Sequence, residues 1–98
     1  MSYEILVGLD IKNDQLYQKY RDEMKPILEA YGGRFRYDFK VSDVLLSETS
    51  NEINRVFTIT FPDVKNKEAF FSDTAYLAIK KTYFEASVAA TTIISSPE

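Results

Sequence analysis

The period of the hydrophobic pattern switches from two to about 3.6 and back along this chain, in an order that leaves few folds open to it. Tyr3, Ile5, Val7, Leu9 and Ile11 alternate with Glu4, Leu6, Gly8 and Asp10, the period of a strand. Asn13 and Asp14 offer a helix cap. Behind them Leu16, Tyr20, Met24, Ile27 and Tyr31 recur at spacings of four, four, three and four, with Tyr17 and Leu28 beside them. That spacing predicts an amphipathic helix, bent at Pro26, where a backbone donor is missing, and ended by Gly32-Gly33.

A second strand follows, in which Phe35, Tyr37, Phe39 and Val41 alternate with Arg34, Arg36, Asp38 and Lys40. Val44, Leu45 and Leu46 are expected to continue it after a bulge or bend at Ser42-Asp43, and the polar stretch Ser47 to Asn54 reads as a hairpin loop. The third strand, Arg55 to Phe61, puts Phe57, Ile59 and Phe61 on one side and Val56, Thr58 and Thr60 on the other. Pro62 stops it. Asp63 caps a short helix from Val64 to Phe71, and Asp73 caps a second from Thr74 to about Glu85, with Tyr76, Ile79 and Tyr83 on one stripe. A last strand runs from about Val88 to Ser95. Parallel crossovers need a helix and are right-handed, while antiparallel neighbours need only a hairpin. The compact solution is an α+β, ferredoxin-like βαββαβ domain, a four-stranded antiparallel sheet with helices on one face. The length of 98 residues gives room for one such domain, spanning 1–98.

Composition removes several kinds of chemistry. With no cysteine and no histidine there are no disulfides, thiol nucleophiles, Cys/His zinc sites or imidazole bases. Proton transfer falls to Asp, Glu, Lys, Tyr or water, and no cofactor or metal is expected; nothing resembles the spacing of a calcium loop. The net charge of −3 disfavours nucleic acid and anionic membranes. RNA-recognition domains share this element order, but the third strand here lacks their glycine and paired base-stacking aromatics, so no nucleic-acid partner is expected. Met1-Ser2-Tyr3-Glu4 has no basic region followed by an apolar run, and no stretch reaches membrane-spanning length, which makes a cytoplasmic protein the expectation.

One face of the sheet is covered by helices. The other carries Leu6, Gly8, Val56, Thr58, Thr60 and one side of the last strand, either Ala89, Thr91 and Ile93 or Ala90, Thr92 and Ile94. That set is too apolar for comfortable exposure, and packing against a second copy would bury it with two-fold symmetry. A homodimer through the open face is therefore expected.

The runs Tyr31-Gly32-Gly33-Arg34-Phe35, Val44-Leu45 and Phe61-Pro62, the stretch Ala69-Phe70-Phe71-Ser72-Asp73-Thr74-Ala75-Tyr76 and the helix proline Pro26 together resemble the bacterial family known as domain of unknown function 1330. The resemblance spans nearly the whole chain. It implies the dimeric α/β-barrel superfamily, in which two such sheets pack face to face. More remotely, the chain is similar to that superfamily's cofactor-free monooxygenases and muconolactone-isomerase-like proteins. Two departures stand out. Asp73 replaces the family's usual serine cap, and Tyr83, with Lys80 and Lys81 nearby, stands where the family tends to carry an arginine.

The candidate ligand site is a pocket between helices and sheet, lined by Tyr20, Tyr37 and Tyr76, with Arg34 or Arg36 gripping a carboxylate. The plainer alternative makes the tyrosines core and the arginines solvated strand positions. Asp10 and Asp38 are weighed as bases desolvated beneath a partner sheet, against simple pairing with Arg36 or Lys40. Catalytic residues stay unassigned. Two functions remain open: a dimer binding a small aromatic or acyl acid, oxygenase- or isomerase-like at most, or a non-catalytic structural or regulatory dimerisation module.

Overall fold

The computed structural model describes residues 2–97. Strands β1 (Tyr3–Ile11), β2 (Arg34–Lys40), β3 (Arg55–Phe61) and β4 (Val88–Ser95) form one sheet in the order β2-β3-β1-β4, with every neighbouring pair antiparallel. Helix α1 (Asp14–Ala30) connects β1 to β2, while α2 (Val64–Ser72) and α3 (Thr74–Ile79) connect β3 to β4. Each crossover skips one strand, so the two βαβ units interleave and share one helical layer. The core lies between that layer and the inward positions Ile5, Val7, Leu9, Phe57, Ile59 and Phe61 of the two central strands. No helix among the described residues is long and apolar enough to cross a membrane.

The caps form where the sequence places them. The Asn13 side chain accepts from the Leu16 amide (3.0 Å), Asp63 from Asn66 (2.8 Å) and Asp73 from Tyr76 (2.9 Å). Helix α1 runs through Pro26 and ends in a Schellman motif: Gly33 N–H donates to the Leu28 carbonyl and Gly32 N–H to that of Glu29, both at 2.9 Å. Gly32 takes φ 77° to allow this. Gly33 has a different constraint, because a methyl group there would run into the fully buried Leu28 and meet Phe61 Cε1 at 3.0 Å. Gly33→Ala is therefore expected to lower stability by about 1–3 kcal/mol, read as a fall in the urea midpoint with little change in slope.

Strand β2 departs from expectation in two ways. It ends at Lys40, and Val44, Leu45 and Leu46 sit in an exposed loop instead of prolonging it. Asn54 closes that loop by acting as a substitute strand residue. Its side chain accepts from the Ile11 amide and donates to the Ile11 carbonyl, both at 2.9 Å, which satisfies the free end of β1. The second departure is a bulge at Arg36: Phe35 pairs with Ile59, but Tyr37 pairs with Thr58. One extra residue reverses which positions face inward. Phe35 packs against the core, whereas Tyr37 and Phe39 emerge on the open face, 53% and 55% exposed, with their rings stacked at 6.1 Å.

The chain itself covers part of that open face. Ile53 lies over Gly8, where an added Cβ would come within 3.0 Å of it, and Asn51 donates to the Thr92 hydroxyl at 3.1 Å. Ala90 and Thr92, opposite Asp10 and Gly8, are the β4 positions that share this face.

Candidate functional site

Helix α3 passes into a single wide π-helical turn, Lys80–Phe84, before a last turn at Glu85–Ser87 leads into β4. The wide turn is registered by the Glu85 amide, which reaches back to the Lys80 carbonyl. On a regular α-helix, residues four and eight positions beyond Tyr76 would drift roughly 40° and 80° around the axis. The wider turn offsets that drift, and Tyr76, Lys80 and Phe84 all line one cavity. The sequence predicts an unbroken helix here, which conceals Phe84.

The cavity measures ≈ 260 Å³ and lies between the helices and the sheet. Its floor is Ile5, Val7 and Leu9 of β1 with Thr91 and Ile93 of β4, and its roof is Tyr20, Met24, Tyr76 and Phe84. Its polar groups are few. The Tyr20 and Tyr76 hydroxyls are 2.9 Å apart and bond to each other. Burial, then the adjacent Tyr76, pushes the Tyr20 hydroxyl far above the ordinary phenol value, and burial raises that of Tyr76 as well. Both therefore stay protonated at neutral pH. Two phenols bring two hydroxyl hydrogens, and the bond between them uses one. The other has no acceptor among the described residues, leaving a donor for something else. Half-buried Lys80 adds a cation whose side chain makes no ion pair among the described residues.

The expected pocket residues divide between the two faces of the sheet. Tyr20 and Tyr76 meet in the cavity. Tyr37 does not join them, because the bulge carries it to the opposite face, where Arg36 Cζ lies 5.6 Å from its ring centroid. Arg36 donates to Glu4 at 2.9 Å, and the Thr60 hydroxyl donates to the same carboxylate oxygen at 2.7 Å. Thr60 first, and then Arg36, hold the Glu4 carboxyl below its ordinary value. Arg34 lies exposed at the start of β2 opposite Thr60. The cationic residue that lines the cavity is Lys80, from the helical layer.

The two aspartates weighed as bases are both partnered. Asp10 is buried on the open face beside Lys12 Nζ (3.3 Å) and Asn54. Asp38, turned inward by the bulge, receives a bidentate pair of hydrogen bonds from Arg55 at 2.7 and 2.8 Å and a third from Arg21 at 3.2 Å. The Arg21 guanidinium lies 3.8 Å from the Phe35 ring centroid and also donates to the Tyr17 hydroxyl (2.7 Å). These partners are Arg21 and Arg55 rather than the strand neighbours Arg36 and Lys40. No group of three or more acidic metal ligands occurs among the described residues.

The sequence profile of domain of unknown function DUF1330 matches residues 2–97. The chain belongs to the DUF1330 family. Among solved structures, this DUF1330 chain is similar to a Rhodopseudomonas palustris protein of unknown function at 17% identity and a TM-score of 0.80, over 95% of this chain and 78% of that one. A DABB-family protein with a ferredoxin-like fold from Mesorhizobium loti has 14% identity and a TM-score of 0.67, over 95% and 92% of the two chains. A dimeric ferredoxin-like protein of unknown function from Jannaschia sp. CCS1 has 14% identity and a TM-score of 0.61, over 100% and 99%. At such identities the likeness is one of fold. No curated protein sequence is significantly similar to this DUF1330 chain.

Proposed function

We propose that the protein is a homodimer whose subunits each bind a small aromatic or acyl acid in the helix-side cavity. The observation that carries this reading is the spare hydroxyl hydrogen of the Tyr20–Tyr76 pair, in an apolar cavity also lined by Lys80, a cation with no ion pair among the described residues. A carboxylate supplies what both groups lack, an acceptor and a negative charge, and its hydrocarbon part matches the apolar walls. Arg34 and Arg36, placed elsewhere, have no part in this grip. The reading is one of binding. The raised tyrosine hydroxyls are poor bases, and any proton transfer at the site is left to Lys80 or water.

Pairing rests on the stacked Tyr37 and Phe39, which stand half-exposed on the face the helices leave open. The existence of dimeric proteins with this fold supports it.

The test is a thermal-shift screen of benzoate, phenylacetate and short alkanoates. A binding acid at a hundred times its dissociation constant adds about 2.7 kcal/mol, or about 10 °C for a domain of this size. The double substitution Tyr20→Phe and Tyr76→Phe removes both hydroxyl donors, and the shift is expected to shrink severalfold while the unliganded melting temperature changes little. A screen in which no acid stabilises the protein overturns the binding reading and leaves the dimerisation module.

A further inference from the structure

The cavity does not end at Tyr76. A second depression of ≈ 510 Å³ adjoins it, sharing Ile5, Phe71 and Ile93 and continuing past Tyr3 and Ser72. The two are stretches of one trough between the helix pair and the outer strand. It stays open because the helical layer does not extend over β4: Ile93 lies opposite Val7 on the helix side of the sheet and is nevertheless 56% exposed. The inner stretch alone, ≈ 260 Å³, falls just short of the roughly 300–1,000 Å³ of ordinary ligand pockets, and the outer stretch brings the trough within that range.

We propose, resting on the acid-binding reading above, that the ligand class is an extended acyl carboxylate rather than a compact aromatic acid. Its headgroup sits at Lys80 and the Tyr20–Tyr76 pair, and its tail runs along Phe71 and Ile93 toward Tyr3. The polarity of the trough sets this direction. The spare donor and Lys80, unpaired among the described residues, are at the inner end, and the shared middle is an apolar floor and wall of Ile5, Phe71 and Ile93. The outer end has its own cation, Lys67, but that lies over the Tyr3 ring at 5.1 Å, and Glu68 lines the same stretch. Only a long, flexible, apolar body uses both stretches at once, because a single ring fills the inner stretch and leaves the exposed Ile93 floor wet.

The experiment is a calorimetric titration of the intact protein with butanoate, hexanoate, octanoate and decanoate, each below its micellar concentration, with benzoate as the compact probe. Each buried methylene is worth about fourfold in affinity, so a steady rise from hexanoate to decanoate is expected, with benzoate no tighter than hexanoate. Ser72→Trp, at an exposed position that lines the outer stretch and not the inner one, obstructs the trough beyond the inner stretch. It is expected to flatten the chain-length series above hexanoate while hexanoate itself stays within twofold. Benzoate bound more tightly than every alkanoate, or alkanoates bound with no dependence on length, overturns the extended-chain assignment and leaves the acid-binding reading standing. Loss of all lengths equally in Ser72→Trp also overturns it. Binding of no acid at all overturns both.

Discussion

Phe39→Asp is expected to leave a folded protein that sediments as a single subunit at micromolar concentration, where the parent sediments as a pair. In one chain, Phe39 touches water over more than half its surface and stacks on Tyr37. The charge therefore costs the isolated fold little. Across a two-fold interface the same position enters twice. An aromatic anchor at the centre of an interface contributes about 2 kcal/mol or more, so two of them give about 4 kcal/mol, or a weakening of about a thousandfold. Two new carboxylates facing a like pair add repulsion. Sedimentation velocity across a concentration series reads the effect directly. A variant that still pairs as tightly as the parent would remove the open face from the account.

The second large effect concerns stability and sits on the inward side of the same strand. Arg21 and Arg55 keep only 11% and 15% of their side-chain surface exposed, and Asp38 is the carboxylate between them. Asp38→Asn keeps the shape, removes the counter-charge and points an amide N–H₂ at two guanidinium groups. Leaving such largely buried cations unpaired costs about 3 kcal/mol, which urea denaturation would show at neutral pH. The acid limb gives an independent check. Burial pushes the Asp38 carboxyl up, but hydrogen bonds and charge from Arg55 and Arg21 outweigh it and hold the group below its ordinary value of 3.8. A carboxyl lowered on folding stabilises the protein above its unfolded value, and that contribution disappears as pH falls through the folded value. The gap between parent and Asp38→Asn is therefore wide at pH 7 and closes below about pH 4. A gap that stayed constant with pH would assign the loss to packing instead of charge.

Much of this architecture is readable from local rules, and the misses share a cause. The alternation of β1, the 3.6 period of α1 and the caps at Asn13, Asp63 and Asp73 depend on near neighbours, so each appears where the chain predicts it. Strand β2 is different. Its aromatics Phe35, Tyr37 and Phe39 fall on one parity, and a one-residue bulge at Arg36 transfers two of them to the other face with nothing in the composition to announce it. Asp38 changes face in the same step, which is why it meets Arg21 and Arg55 rather than its strand neighbours. Half of the site was legible. Tyr20 and Tyr76 are stripe residues on two helices, and a shared pocket follows from packing those stripes on one sheet. Phe84 was not, since only the widened turn after α3 keeps it in line with Tyr76.

The two faces of the sheet carry separate roles in this account, and the most direct test locates the ligand on one of them. Amide chemical shifts of the isotopically labelled protein, recorded during titration with octanoate, report the site residue by residue. The account predicts changes concentrated at Tyr76, Lys80, Phe84 and Ile93, with Tyr37, Phe39 and Arg36 unmoved. Changes centred on Tyr37 and Phe39, with the α3 signals still, would contradict it.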